Sequence, residues 1–325
     1  MNFTDTRLDK NIITLDGGVV YDVLILGAGP AGITSATLAF QRGLSVLLIE
    51  EAVLCSNVYN IPEVEDAVFL REVSPLGKDV APYFSQNIAR FHVAVVYERV
   101  NGLKLEGPIK TVITPHHTYW GRSVIIATGT KILRSTVANS EHYYGRGVSY
   151  CALCDRDYYL HKPVMIVGIG ENMAKMALFM AEEASHVVIV SPSDRIDASA
   201  TIRAKLAGHP KISAHFGYKI VELKGEKNLE TIVLESFDKQ KTISVKCQAL
   251  FIYEGIQPNT DFVSSGQLEL TNEGFVRANT LMETTVSGVF AIGSVRDNPR
   301  RRIVYGMSDA MTAIDQIETY LYFLA

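Results

Sequence analysis

The sequence predicts an α/β chain carrying two Rossmann-like dinucleotide-binding folds. Three observations predict it: the glycine-rich turn Gly27-Ala28-Gly29-Pro30-Ala31-Gly32, a second strand, turn and helix of the same design around Gly168, and the close cysteine pair Cys151-Ala152-Leu153-Cys154 just ahead of that second copy. The 325 residues favour two domains over one, at ~100–200 residues each. Apolar residues at 47% and charged residues at 20% suit a globular protein with a well-filled core and exclude long disorder. A net charge of -4 and a pI near 6.1 give no electrostatic reason to expect nucleic acid.

Residues 1–18, taken as an N-terminal extension, mix Asp5, Arg7, Asp9 and Lys10 with no apolar core, so no signal peptide is visible and a cytoplasmic setting is expected. Val23 to Phe40 runs 18 residues without a charge, the lower limit for a membrane-spanning helix. Gly27, Gly29, Pro30 and Gly32 interrupt its centre, so a strand, a tight turn and a buried helix account for it and no transmembrane segment is expected.

In the first copy, Tyr21 to Leu26 is an aliphatic run fit for a central parallel strand, and Ile33 to Gln41 has helical spacing. The first glycine of the turn lets the strand turn, the second lets a pyrophosphate approach the backbone, and the third lets helix and strand pack closely. Glu50, 18 residues past Gly32, ends the strand Ser45 to Ile49, where its carboxylate can accept hydrogen bonds from an adenosine ribose. The second copy runs Pro163 to Val167 and then Gly168-Ile169-Gly170-Glu171-Asn172-Met173. Here Met173 stands at the third small position, and the next strand, Val187 to Val190, ends in Ser191-Pro192-Ser193 with no carboxylate for a ribose and no arginine for a 2'-phosphate. Asp194 or Arg195 can substitute from the next turn; the expectation is nonetheless that nicotinamide binding is lost.

For Cys151 and Cys154 three readings compete. Zinc needs four ligands, and no second pair exists; His142 and His161 flank the pair at unhelpful distances, so no metal is expected. Buried spectator thiols are a second reading, and a redox-active dithiol is the third and favoured one. Asp155 places a carboxyl where it can relay a proton to a thiolate or a reduced flavin. Cys247, in the strand-like run Thr242 to Leu250, reads as core filler, and Cys55 has no assigned role.

The chain resembles the low-molecular-weight thioredoxin reductases over roughly residues 19–325. The resemblance rests on Gly27 to Gly32, on Ala127-Thr128-Gly129 after the strand Ser123 to Ile126, and on Cys151-Ala152-Leu153-Cys154-Asp155. It rests also on Gln257-Pro258-Asn259-Thr260 and on Gly288-Val289-Phe290-Ala291-Ile292-Gly293-Ser294. It implies the fold of FAD-dependent pyridine nucleotide-disulfide oxidoreductases, with an FAD domain in two parts, 19–133 and 260–325, around a central NADPH-like domain at 134–259. It implies an FAD held by Gly27, Gly29, Pro30, Ala31, Gly32, Glu50, Asn60, Ala127, Thr128, Gly129, Gly293, Ser294, Arg301, Arg302 and Ile303. Cys154 would face the flavin, Cys151 would exchange with a partner such as thioredoxin or another thiol carrier, Asp155 would be the acid, and the protein would form a homodimer whose domains rotate.

The departures are informative. The family's nucleotide motif ends in Ser-Ala where this chain has Asn172-Met173, and its His-Arg-Arg and following arginine are replaced by Ser191-Pro192-Ser193 and Asp197. Ser294 stands for an aspartate, and of the turn after the ribose carboxylate only Asn60-Ile61-Pro62 is kept. Together these point to an NADPH-independent branch, resembling the diflavin-linked disulfide oxidoreductases of oxygenic photosynthetic bacteria, with the ferredoxin-linked flavin thioredoxin reductases as alternative and an NADPH-dependent thioredoxin reductase as second alternative. On the diflavin reading a second FAD is expected, with room left for it by the shortened loop Cys55 to Asn60. The run Arg300-Arg301-Arg302 would stabilise an anionic reduced flavin or a second flavin's pyrophosphate, or is a solvated loop. The tyrosines Tyr143, Tyr144, Tyr150, Tyr158 and Tyr159 around the pair pack at an interface or stack on a flavin.

Overall fold

The computed structural model describes residues 13–15, 17–61, 64, 76–135, 137–298 and 300–324. Most of the N-terminal extension and Pro62 therefore lie outside the described residues. By its contacts the chain divides into two units, one of residues 1–59, 64–131 and 257–325, the other of residues 60–63 and 132–256.

The first unit opens with strands β1 (Ile13–Leu15) and β2 (Gly18–Leu26), helix α1 (Pro30–Gln41), β3 (Val46–Glu50), α2 (Ser56–Tyr59) and α3 (Gly77–Arg90). It continues with β4 (Ala94–Tyr97), β5 (Gly102–Lys104), β6 (Lys110–Ile113), β7 (Thr118–Ile126) and β8 (Thr130–Ile132), whose last residue belongs to the second unit. The main sheet has the order β4-β3-β2-β7-β6-β5. Strands β4, β3, β2 and β7 run parallel, and β5 and β6 continue the sheet antiparallel. Val23, Leu24, Ile25 and Leu26 are fully buried, as a strand covered on both faces requires. Helix α1 turns Gly32, Ile33, Ser35, Ala36 and Ala39 inward, a face of mostly small residues that allows close approach to the sheet.

The second unit holds β9 (Val148–Ser149), α4 (Ala152–Asp155), β10 (Pro163–Gly168), α5 (Gly170–Ala181), β11 (His186–Ser191), α6 (Ala200–Ala207) and β12 (Ile212–Phe216). After these come β13 (Tyr218–Lys224), β14 (Thr231–Ser236), β15 (Thr242–Lys246), β16 (Ala249–Tyr253) and β17 (Ile256–Pro258), whose last two residues belong to the first unit. Its parallel sheet has the order β12-β11-β10-β16-β9, beside an antiparallel sheet β13-β14-β15. The run Thr242 to Leu250, read from sequence as one strand, is two. Strand β15 pairs with β14, β16 pairs with β10, and Cys247 lies between them, buried among Ile232, Leu234 and Leu250. Strands β8 and β17, where the chain passes from one unit to the other, pair as a two-stranded ribbon.

The first unit closes with β18 (Val289–Ala291), parallel to β7, and α7 (Ile303–Leu324). No helix among the described residues is long and apolar enough to cross a membrane.

Candidate active site

The nucleotide cradle of the first unit is built where β2 meets α1. Gly27 has φ +99°, and a Cβ there would meet the Ala127 carbonyl oxygen at 2.5 Å. A Cβ on Gly32 would meet the Gly27 oxygen at 1.9 Å, whereas one on Gly29 would meet nothing within 4 Å. Two glycines thus let strand, helix and the Ala127 segment close up, and the third leaves open space over the N-terminus of α1. That terminus has no side-chain cap and carries Pro30 in its first turn. Uncapped N–H groups facing open space suit a pyrophosphate. Glu50 ends β3 with Oε2 accepting the Ala28 N–H at 2.7 Å and Oε1 the Ala52 N–H at 3.1 Å, so its carboxylate is fixed beside the turn.

Two further segments border this cradle. Thr128 and Asn259 bond reciprocally, Thr128 Oγ1 donating to the Asn259 carbonyl at 2.7 Å and Asn259 Nδ2 to the Thr128 carbonyl at 2.9 Å. Gly293 has φ +68°, and a Cβ on it would come within 3.1 Å of Ala31 Cβ. Its N–H donates to Asp309 Oδ2 at 2.9 Å, while Asp309 Oδ1 pairs with Arg296 at 3.1 Å. Burial pushes the Asp309 carboxyl up, against the opposing pull of the Gly293 N–H and of Arg296. Sequence reasoning missed Asp309 and named Asn259 only within the Gln257 to Thr260 motif, without a site role. Arg301 lies over the Phe275 ring at 4.3 Å and Arg300 over Tyr305 at 5.8 Å, so these two arginines are held by aromatic faces. Arg302 and Ile303 stand at the start of α7, and Ile303 is buried.

Cys55, with φ +59°, is buried, its N–H bonded to the Ala28 carbonyl at 2.9 Å, and burial first and the Glu50 charge second push its thiol up to about 12. The segment that follows folds as α2 with Val58 buried. In the loop expected to leave room for a second ring, Cys55 and Val58 are buried while Ser56 and Asn57 between them are exposed.

In the second unit Cys151 and Cys154 form a disulfide. Cys151 precedes α4 and its Sγ accepts the Cys154 N–H at 3.1 Å. The Cys151 N–H is held by Ser149 Oγ at 3.0 Å, and the Ala152 N–H meets the Tyr253 hydroxyl at 3.4 Å. Burial pushes that hydroxyl up to about 12, so it remains a neutral phenol. Cys154 is exposed and Cys151 partly so. Asp155 donates its N–H to the Cys151 carbonyl at 3.2 Å. Asn60, expected beside a flavin, lies against the disulfide, its Oδ1 at 2.8 Å from Cys151 Sγ and 3.4 Å from Cys154 Sγ.

The second nucleotide motif keeps its outer geometry and loses its interior. Gly168 still lies tight on the Tyr253 carbonyl, and Gly170 still faces open space. Met173, however, is fully buried in the core of the unit with Ile166, Met176 and Phe251. Glu171 occupies the first turn of α5, its carboxylate paired with Lys175 at 3.3 Å and accepting the Ser199 N–H at 2.8 Å. Ser191 is buried and its hydroxyl takes the Ser193 N–H at 3.3 Å, while Asp194 and Arg195 are exposed. Among the described residues no group of three or more His, Cys, Asp and Glu side chains is arranged to hold a metal ion.

Residues 21–316 match the pyridine nucleotide-disulphide oxidoreductase family model. The chain belongs to that family. It is 30% identical to the thioredoxin reductase of Mycoplasma pneumoniae over 318 residues, covering 97% of this chain and 99% of that protein. The Lactococcus lactis thioredoxin reductase structure superposes with a TM-score of 0.88 at 27% identity, over 93% of this chain and 99% of that one. A ferredoxin-flavin thioredoxin reductase of Clostridium acetobutylicum, at 24% identity and a TM-score of 0.50 over 93% of this chain and 98% of that one, shares the fold. The protein is thus a flavin-dependent disulfide oxidoreductase with the thioredoxin reductase fold.

Proposed function

We propose that this enzyme exchanges an electron pair between one FAD and the Cys151–Cys154 disulfide, and through it with a protein disulfide such as that of thioredoxin, using an electron donor or acceptor other than NADPH. The observation that carries the proposal is the contrast between the two nucleotide motifs. In the first, Gly27, Gly29 and Gly32 with Pro30, Ala31 and Glu50 make a cradle that fits a dinucleotide. In the second, Met173 fills the core where the motif has a small residue, and the strand that follows ends in Ser191-Pro192-Ser193 with no carboxylate or arginine. Those residues do not fit NADPH bound in the family's manner, and no step is assigned to it.

FAD, when bound, supplies a two-electron couple within reach of thiol potentials. On this proposal the turn Gly27 to Gly32 holds its pyrophosphate and Glu50 its ribose. Ala127, Thr128 and Gly129, with Gly293 and Ser294, line its length, and Arg301, Arg302 and Ile303 meet its far edge. The 19–133 and 260–325 segments act as its domain and 134–259 as the disulfide domain. Cys151 and Cys154 take up two electrons and two protons on reduction, with Asp155 moving a proton at a cysteine sulfur. A second FAD forms no part of the proposal.

Anaerobic titration tests this. A dithiol should bleach the flavin band of the purified protein, with one FAD released per chain on denaturation, while NADPH leaves the band unchanged. Rapid bleaching by NADPH would instead assign an NADPH-dependent thioredoxin reductase.

A further inference from the structure

We propose that Asn60 is a positioning residue that makes Cys151 the thiolate of the reduced pair. The inference rests on the reading of Cys151 and Cys154 as the redox-active disulfide with Cys151 as the exchanging sulfur, and adds what selects that sulfur. A disulfide sulfur has no proton to give, so it can only accept, and the useful end of the Asn60 amide is its Nδ2–H2 group. A half-turn about the last side-chain torsion exchanges that group with Oδ1 at the same place. The amide sits 2.8 Å from Cys151 Sγ and 3.4 Å from Cys154 Sγ. Cys151 Sγ also accepts the Cys154 N–H at 3.1 Å. With the amide so turned, two N–H donors converge on Cys151, whereas Cys154 Sγ has the longer amide contact and solvent.

Hydrogen bonds to the charged form favour it, so on reduction the negative charge settles on Cys151. The Cys151 thiolate then attacks one sulfur of a partner disulfide. A Cys151–partner bond forms, the partner's S–S bond breaks, and its other sulfur leaves as a thiolate. Cys154, losing its proton, attacks Cys151 Sγ, which reforms the Cys151–Cys154 bond and releases the partner's first sulfur. The electron pair has passed from the enzyme's dithiol to the partner. Partial exposure of Cys151 permits the attack, and Ser149 Oγ, holding the Cys151 N–H at 3.0 Å, fixes the backbone from which it is made.

The test uses the full-length FAD-loaded protein, reduced with dithiothreitol, freed of reductant anaerobically and treated with iodoacetamide across the neutral range. Peptide mass spectrometry follows alkylation of Cys151 and Cys154 separately. Cys151 should react first, with its half-maximal rate at a lower pH than that of Cys154. Asn60→Ala should raise the Cys151 midpoint by about one pH unit, making its alkylation below neutrality roughly tenfold slower, and leave the Cys154 profile in place. Asn60→Asp, of the same size, should raise it further and carries the test should the alanine variant fail to fold. An unchanged Cys151 profile in both variants, or faster alkylation of Cys154 in the unaltered protein, would overturn the proposal. A flavin band that ignores dithiothreitol while the Cys151 profile still moves with Asn60 would sink the proposed function and leave this assignment standing.

Discussion

Asp309 Oδ2 holds the Gly293 N–H at 2.9 Å, tying the second turn of α7 to the turn that follows β18. Arg296 closes the arrangement from the other oxygen at 3.1 Å, and both side chains are nearly buried. Removing one partner of a buried pair strands the other charge, so Asp309→Ala should destabilise the protein by about 3 kcal/mol in urea unfolding. A loss below about 1 kcal/mol would show that the pair is dispensable.

The same carboxyl gives a pH signature. Its folded-state pKa is raised, chiefly by burial, so its protonated form is the one folding favours. Its contribution is full below the ordinary carboxylate range and is lost as pH rises through the elevated folded value. Asp309→Asn has no proton to lose there, so the stability difference between wild type and this variant should shrink as pH rises through that window. A difference independent of pH would contradict the assignment.

Gly29 and Gly32 should separate fold from cofactor. Gly32→Ala forces a Cβ to 1.9 Å from the Gly27 oxygen and should cost ~3 kcal/mol or more. A Cβ on Gly29 meets no protein atom within 4 Å, so Gly29→Val should fold with little change in stability and yet lose FAD, measured by absorbance after gel filtration. Retention of FAD by Gly29→Val would mean that the open space over α1 is not the pyrophosphate site.

Thiol counting distinguishes the four cysteines. Cys55 and Cys247 are buried, with thiols pushed up to about 12 by burial, and Cys151 and Cys154 are joined. An Ellman assay at mildly alkaline pH should find no reactive thiol in the native oxidised protein. Two should appear after mild reduction and all four only after denaturation in reductant. A reactive thiol in the native oxidised state would contradict the burial of Cys55 or Cys247.

What was legible in the sequence was local. The turn Gly27 to Gly32, Glu50 at the end of β3 and the cysteine pair are each set by chemistry within a few residues, and a sequence shows such chemistry directly. What escaped was held together across the fold. Asp309 and Arg296 lie in different elements with ordinary neighbours in sequence, and only packing of α7 on the Gly293 turn brings them together. Asn60 carries no signal of its proximity to Cys151, 91 positions away. The Thr242 to Leu250 run misled because its alternation of apolar Ile243, Val245, Cys247 and Ala249 with polar Ser244, Lys246 and Gln248 continues unbroken although two sheets share it, with Cys247 at the crossing. Met173 was legible as a misfit in a nucleotide motif, and its complete burial supplies the physical reason: the side chain serves the core.

The most direct test of the account is a stoichiometric dithiol titration under argon, following the flavin absorbance of the wild-type protein and of the Cys151→Ser/Cys154→Ser double variant. The account predicts bleaching that tracks added dithiol in the wild type and a flat response in the double variant. Equal bleaching in both would contradict it.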